Sequence, residues 1–361
     1  MIRYRISHRR DNSMQVIRNA MPNRRRVLFL VLLGALRCPL AMAEQGIVSL
    51  QGTTMGTTYW VKLAVPEAAR TNTTRLQPKI DILLEDINDR LSTYRHHSEL
   101  SRFNRRTAAA WIAVSEPFMT VVTAAQRISA QTAGAFDITV GPLVNLWGFG
   151  PEPRPPAIPE EGALAAARAR VGFRQLEVRQ APPALRKARG DLSIDLSAIA
   201  PGYAVEQVGA LLEANGFQDY MVELGGEIRT LGHNATGAAW QIGITQPTAV
   251  QQIALTVPLS GLGLGSAGSY RTFFEVQGRR YSHDIDPATG WPVAHALLAV
   301  TVVHPSTMEA DAYATALQVL GPKRGPEVAA QLGLAAVFFV QTDARVQQLR
   351  SPAFIRQFGS E

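Results

Sequence analysis

The sequence predicts a single large α+β domain in which mostly antiparallel sheets are packed against helices. Three observations carry that reading. Strand-like stretches follow one another through turns over residues 220–282. Helical repeats with one apolar face stand on either side of them, and no linker divides the chain after residue 44. With 361 residues, 46% of them hydrophobic and 18% charged, the chain can bury a large core.

Residues 1–43 read as a leader. The stretch "PNRRRVLFLVLLGALRCPLAMAEQG" runs from an arginine cluster through the apolar Val27–Leu36 to Ala41-Met42-Ala43, an A-x-A cleavage signal, so export is expected. The apolar run is about half of the roughly 20 residues that a membrane-spanning helix needs. Met21 is an alternative start, and lipidation of Cys38, with attachment to the inner membrane, is the alternative to cleavage after Ala43. The leader also holds nine arginines and one aspartate of a chain whose formal charge is +7, which leaves residues 44–361 with one net negative charge. No basic stripe interleaved with aromatics remains, so nucleic-acid binding is not expected. Cys38 is the one cysteine, and an intramolecular disulfide is excluded.

After the leader, "TTMGTTYWVKLAV" reads as a strand. Ile80, Leu83, Leu84, Ile87 and Leu91 recur at helical spacing and predict a helix over 76–92. Ser115 as N-cap and Pro117 in the first turn open a second helix that Gly134 terminates. "GFGPEPRPPAIPEEG" is a proline-rich loop, followed by a short Ala/Arg helix. From Ile194 a strand, turn and helix are expected, with Val205, Val208, Leu211 and Leu212 on one face and Gly216 at the stop. "YMVELGGEIRTLG", "AWQIGIT" and "QIALTVPL" are β-like, and "FFEVQGRRYS" predicts a hairpin with Gln277-Gly278 at its tip. "LLAVTVV" and "AAVFFVQ" read as buried strands flanking a helix from Met308 to Leu320.

Ser306 and Glu309 form an S-x-x-E capping box that sets the register of this late helix. In that register Asp311 and Thr315 lie one above the other, on or beside the stripe of Met308, Ala312 and Val319, so both should point inward. A buried carboxylate with a hydroxyl one turn away and no Lys or Arg on its face suits a hard cation such as Mg²⁺; a partly exposed Asp bonded to a neighbouring loop is the plainer alternative. "DLSAIAPG" puts Asp195 before a helix entrance, where backbone N–H groups can meet an anion or where Asp merely caps. "GGE" at 225–227 admits close approach of a ligand or marks a bulge. His283, in "YSHDIDPATGWPV", stands at a strand exit, where an imidazole can take a proton from a hydroxyl nucleophile or simply bond a loop. Asp286 should pin the turn behind it. No P-loop, G-x-S-x-G or H-E-x-x-H is present, and "GLGLG" at 261–265 has the wrong spacing for a dinucleotide loop.

Seven stretches in this order resemble the ApbE family of FAD:protein FMN transferases: "TTMGTTYWVKL", "INDRLSTYRHHSELSRFN", "GAFDITVGPLVNLWGFG", "DLSAIAPGYAVE", "YMVELGGEIR", "GSYRTFFEVQGRRYSHDIDPATGWPV" and "EADAYATALQVLG". The likeness spans Thr53 to Gly321. It implies a periplasmic enzyme that binds FAD with Mg²⁺, splits its pyrophosphate and attaches FMN to a threonine hydroxyl of a partner, releasing AMP. The partners it implies are flavoprotein subunits of membrane redox complexes. It further implies that Met55, Tyr94, Ala135, Phe136, Asp137, Asp195 and Ile285 contact FAD. Asp311, Thr315 and the Ala198 carbonyl would hold the metal, and His283 would deprotonate the incoming threonine. Two alternatives stay open at this point: hydrolysis of FAD to FMN and AMP, and flavin binding without turnover. Pro201 stands where many relatives have Lys or Glu, and Ala314 where some place a second Asp. Ser266-Ala267-Gly268 likewise replaces a more usual Thr-Ser-Gly.

Overall fold

The computed structural model describes residues 45–152, 154–247, 252–270, 272–343 and 345–359; the leader and Cys38 lie outside them. β1 (Gln45–Thr54) and β2 (Thr57–Pro66) pair antiparallel across Met55-Gly56. The single strand expected here is thus a hairpin. Met55 (φ 49°) and Gly56 (φ 73°) both take positive φ, as a two-residue hairpin turn demands, and methionine carries none of the usual turn signature.

Helix α1 (Arg70–Thr73) leads into α2 (Leu76–Leu91), which buries Ile80, Leu84, Ile87 and Leu91 as their spacing predicts. α3 (Glu99–Arg105) follows, then β3 (Ile112–Ala113) and α4 (Glu116–Gln131), capped by Ser115. After α5 (Gly141–Leu146) and α6 (Glu161–Arg168), β4 (Leu176–Arg179) and β5 (Ala184–Lys187) join β3 in a small sheet ordered β3-β5-β4. The strand expected at Ile194 is not formed. Its backbone is held by a side chain instead: Ile194 donates its N–H to Asn104 Oδ1 (2.9 Å), Asn104 Nδ2 donates to the Ile194 carbonyl (2.8 Å), and Asp195 donates its N–H to the Ile138 carbonyl (2.6 Å). α7 (Ala200–Ala214) then runs as predicted.

β6 (Tyr220–Leu224) and β7 (Glu227–Leu231) turn at Gly225-Gly226, which makes "GGE" a tight hairpin rather than a bulge. β8 (Trp240–Thr245) and β9 (Ile253–Leu259) form a ribbon, and β10 (Gly263–Gly268) returns to the main sheet. β11 (Phe273–Val276) and β12 (Arg279–Ser282) are the predicted hairpin, with Gln277-Gly278 at its tip. β13 (Leu297–His304), α8 (Thr307–Gln331), β14 (Ala335–Gln341), β15 (Val346–Arg350) and α9 (Pro352–Phe358) complete the chain. The first helical segment of α8 ends at Leu320 as expected, where Gly321 (φ 78°) breaks it, and a second segment that the sequence reading did not foresee starts with Pro322. Proline suits a first helical turn, where its missing N–H would have no partner.

The main sheet has the order β1-β2-β6-β7-β10-β13-β14-β15, every pair antiparallel. Both faces are covered, which explains why its central strands read as nearly continuous apolar runs. Val300, Val302, Ala336 and Phe338 pack under α2, α4, α7 and α8, whereas Ala299, Val303, Val337 and Phe339 face the β8–β9 ribbon and α9.

The second and third glycines of "GLGLG" serve helix packing. A Cβ on Gly263 would lie 2.0 Å from Thr307 Oγ1, and one on Gly265 would lie 2.3 Å from the backbone nitrogen of Asp311. A Cβ on Gly202 of α7 would come within 2.6 Å of the Thr307 carbonyl oxygen and 2.9 Å of Asp311 Cβ. Strand and helix thus clamp the first turns of α8 from two sides, and the place of Asp311 is set by backbone contact. Gly265→Ala is expected to destabilise the chain by about 3 kcal/mol, because backbone rather than a flexible side-chain tip stands in the way. Urea unfolding would measure this, and an unchanged midpoint would contradict the clamp.

Candidate active site

Asp311 is 5% exposed. Its Oδ2 accepts the Gly202 N–H at 3.0 Å, and Oδ1 has no hydrogen-bond partner among the described residues. That one bond has a second effect. In a regular helix the Gly202 N–H would close on the Ala198 carbonyl; here it is diverted, and Pro201 has no N–H to offer Ser197. The Ala198 carbonyl is left without a backbone donor at the foot of α7. Thr315 stands half-buried one turn beyond Asp311, its hydroxyl also unpartnered among the described residues. Burial pushes the Asp311 carboxyl up to about 7, against the lowering effect of the Gly202 bond. A carboxylate held in this state lacks a counter-charge. Among the described residues no three His, Cys, Asp or Glu side chains converge, and the unpartnered groups are a carboxylate oxygen, a hydroxyl and a carbonyl. These are hard oxygen donors that fit a small divalent cation keeping water and phosphate as its other ligands. The capping box that set this register is half formed. Ser306 Oγ accepts the Glu309 N–H at 3.2 Å, while the Glu309 carboxylate turns away to Arg127 at 2.6 Å.

Asp195 accepts the Ser197 N–H through Oδ1 (2.8 Å), the turn that starts α7. Tyr94, 68% exposed, reaches the Phe149 carbonyl through its hydroxyl at 3.4 Å. Partial burial and then the Asp195 carboxylate raise its phenol. Asp137 is occupied differently. Its Oδ1 accepts from the Thr139 N–H (2.8 Å) and hydroxyl (2.6 Å), and its Oδ2 accepts from the Phe173 N–H (2.7 Å). Burial raises this carboxyl, and those bonds hold it down. It therefore ties the 137–139 segment to Phe173, while the Ile138 carbonyl holds the Asp195 N–H; Phe136 is in the core and Ala135 half-buried beside it. Met55 lines a cleft of about 470 Å³ with Thr53, Thr54, Gly56–Thr58, Glu85, Asn88 and Arg95, and no other residue expected at the site lines it.

His283 leaves β12 on a bed of aromatic rings. Trp147 is fully buried, stacks on Tyr281 at 5.6 Å, meets Trp291 edge-on at 5.1 Å and donates its Nε1–H to the Gly290 carbonyl at 2.8 Å. Ile285 lies in the same cluster. Asp286 pins the turn as expected, its Oδ1 accepting the Ala288 N–H at 2.9 Å. The His283 ring meets Phe149 edge-on at 6.3 Å, and Nδ1 lies 3.2 Å from the Thr272 carbonyl. A carbonyl only accepts, so Nδ1 carries the hydrogen and Nε2 is the basic nitrogen. The side chain is 40% exposed, open to an incoming hydroxyl. Residues that motif reading did not single out complete the frame: Gly202 and Gly265 behind Asp311, and Trp147 and Phe149 beneath His283. Only the two-residue spacing of the "GLGLG" glycines, on one face of a strand, offered a signal for any of them.

The sequence profile of the ApbE family matches residues 55–338. The chain is 45% identical over 314 residues to the FAD:protein FMN transferase of Vibrio cholerae, covering 86% of this chain and 92% of that protein. To the FAD:protein FMN transferase of Haemophilus influenzae it is 42% identical over 325 residues, 89% of this chain and 94% of the other. Among solved structures, the flavin transferase ApbE from Vibrio cholerae superposes with a TM-score of 0.79 at 41% identity, covering 87% of this chain and all of that one. The apo form of the Pseudomonas stutzeri flavinyl transferase ApbE gives 0.81 at 38% identity, with 89% and 99% covered.

Proposed function

The chain belongs to the ApbE family and is an enzyme that transfers FMN from FAD to protein, and from this we propose the acceptor group, the metal and the roles of the site residues. The acceptor group is a threonine hydroxyl. Its oxygen bonds to the phosphorus of the FMN half, the pyrophosphate P–O bond breaks, and AMP leaves with the bridging oxygen. His283 Nε2 takes the hydroxyl proton. Asp195 and the exposed Tyr94 border the flavin nucleotide, and the segment that Asp137 holds rigid supports them from behind.

One observation carries the metal reading: among the described residues Asp311 Oδ1, the Thr315 hydroxyl one helical turn beyond it and the Ala198 carbonyl, freed when Gly202 donates to Asp311, are unpartnered. These groups would hold Mg²⁺, which supplies charge neutralisation for the phosphates when bound. What this part of the chain does by itself is hold a carboxylate rigid where charge develops, since phosphoryl transfer depends on positioning more than on covalent chemistry. Targets among flavoprotein subunits of membrane redox complexes, and export to the periplasm by the leader, complete the proposal.

The test is incubation of the full chain with FAD and Mg²⁺, with and without such a subunit, reading AMP release and in-gel flavin fluorescence. A fluorescent acceptor band formed with AMP, and lost on chelation, is the expected result. AMP without a labelled protein would point to water as the acceptor. Intact FAD with every acceptor would remove the catalytic assignment.

A further inference from the structure

The segment from Ile194 to Gly202 enters α7 without a strand of its own, yet it carries both Asp195 and the Ala198 carbonyl. Two side chains from distant parts of the chain pin its ends. Asp311 accepts the Gly202 N–H at 3.0 Å, the bond that frees the Ala198 carbonyl. At the other end Asn104, the half-buried penultimate residue of α3, brackets Ile194: Oδ1 accepts the Ile194 N–H at 2.9 Å, and Nδ2 donates to the Ile194 carbonyl at 2.8 Å. Ile194 is buried, so removing Asn104 would strip an inaccessible backbone of donor and acceptor partner at once. The bracket is itself anchored. Lys187 of β5 is fully buried, and its Nζ donates to the Asn104 carbonyl at 2.9 Å and to the Arg106 carbonyl at 2.8 Å. An ammonium suits the free carbonyls at a helix C-terminus, and here it fixes the backbone that carries Asn104. Beyond the bracket, the Ile138 carbonyl accepts the Asp195 N–H at 2.6 Å, and a Cβ on Gly141 would lie 3.7 Å from Asp195 Cβ.

We propose that Asn104 is a positioning residue of the FAD site, which acts through Ile194 to hold Asp195 against the flavin nucleotide. The inference rests on Asp195 bordering that nucleotide. A carboxylate in an untied turn samples several places, and binding has to select one of them at a loss of affinity; the bracket makes that selection before FAD arrives. A neighbouring strand could also satisfy Ile194, but its pairing would run on into Asp195 and keep the backbone extended. A single side chain satisfies Ile194 alone and leaves the next residues free to turn, as Asp195 Oδ1 does in accepting the Ser197 N–H at 2.8 Å. Both polar atoms of Asn104 are engaged with Ile194, which makes it a brace rather than a ligand.

A double-mutant cycle on the full chain tests this, with FAD as the probe and its fluorescence titration, in the presence of a chelator, as the readout. The dissociation constant of FAD is expected to rise about ten-fold in Asn104→Ala, and by no less in Asp195→Ala. In the double variant it should match Asp195→Ala alone, because the bracket then has no carboxylate left to position. In transfer assays with Mg²⁺ and an acceptor, Asn104→Ala should raise KM for FAD by a similar factor and lower kcat by less than about three-fold. A merely structural role for Asn104 predicts another pattern: a lower melting temperature with wild-type affinity in the folded fraction, or losses that multiply in the double variant. Either result would overturn the inference. If Asn104→Ala does not fold, Asn104→Asp, which has the same size and keeps an acceptor for the Ile194 N–H, enters the cycle in its place with the same expected pattern. Unchanged FAD binding in Asp195→Ala alone would remove the reading of Asp195 and the inference with it, so that single variant separates the two failures.

Discussion

Asp311→Asn is expected to lower FMN transfer at saturating FAD by roughly a thousand-fold, the several kcal/mol that charge stabilisation at a transferring phosphoryl group is worth. The isosteric amide keeps an acceptor for the Gly202 N–H, so loss of activity would not reflect loss of the α7–α8 contact. A second readout follows from the carboxyl itself, which stands at 3.8 in its ordinary state and at about 7 when folded. Between those values the unfolded chain has released a proton that the folded chain retains. The unfolded state therefore binds fewer protons, and this group makes stability fall as pH rises from about 4 to about 7. The loss is complete above that window and amounts to at most roughly 4 kcal/mol. Urea midpoints of the metal-free chain, compared with those of Asp311→Asn, should show the difference at pH 8 and not at pH 4. Only the ionised carboxylate can hold a divalent cation, so added Mg²⁺ should raise the melting temperature more at pH 8 than at pH 6. An equal rise in Asp311→Asn would place the metal elsewhere.

Why Asp311 could be singled out from sequence, while its neighbours could not, follows from where each signal resides. The helical repeat of Asp311 and Thr315 and the Ser306 cap are local: they depend on residues a few positions apart, and so do α2, α4 and the hairpin at Gln277-Gly278. The bond from Gly202 and the close approach of Gly265 join positions far apart in the chain, and no local pattern carries them. The same holds for Ile194, whose extended backbone looked like a strand until the Asn104 side chain took the partner's place. The reversal at Met55-Gly56 is missed for another reason. Methionine at positive φ is unfavourable in isolation and is tolerated here because the ten-residue strands on either side pair in register up to Thr54 and Thr57.

His283→Ala is expected to lower transfer by about 10²- to 10⁴-fold, the range that a general base contributes, while FAD binding changes little. A threonine hydroxyl is a weak nucleophile near neutral pH, and in the proposed reaction the His283 imidazole would relieve it of its proton as the new bond forms. The geometry limits which nitrogen can do this. Nδ1 is committed to the Thr272 carbonyl, so the basic lone pair is on Nε2 of a side chain that is 40% exposed. The ring itself is located by Phe149 and by the backbone of its own residue, whose N–H also bonds the Thr272 carbonyl at 3.1 Å. Removing the imidazole should therefore leave the frame in place and a gap open to solvent. Added imidazole can enter that gap and restore part of the rate, with a pH dependence that follows the unprotonated form of the added base. A structural role for His283 predicts no such rescue, because a small base in solution cannot rebuild a misplaced loop. Rescue absent while FAD still binds and the chain still melts at its usual temperature would assign the proton to another acceptor.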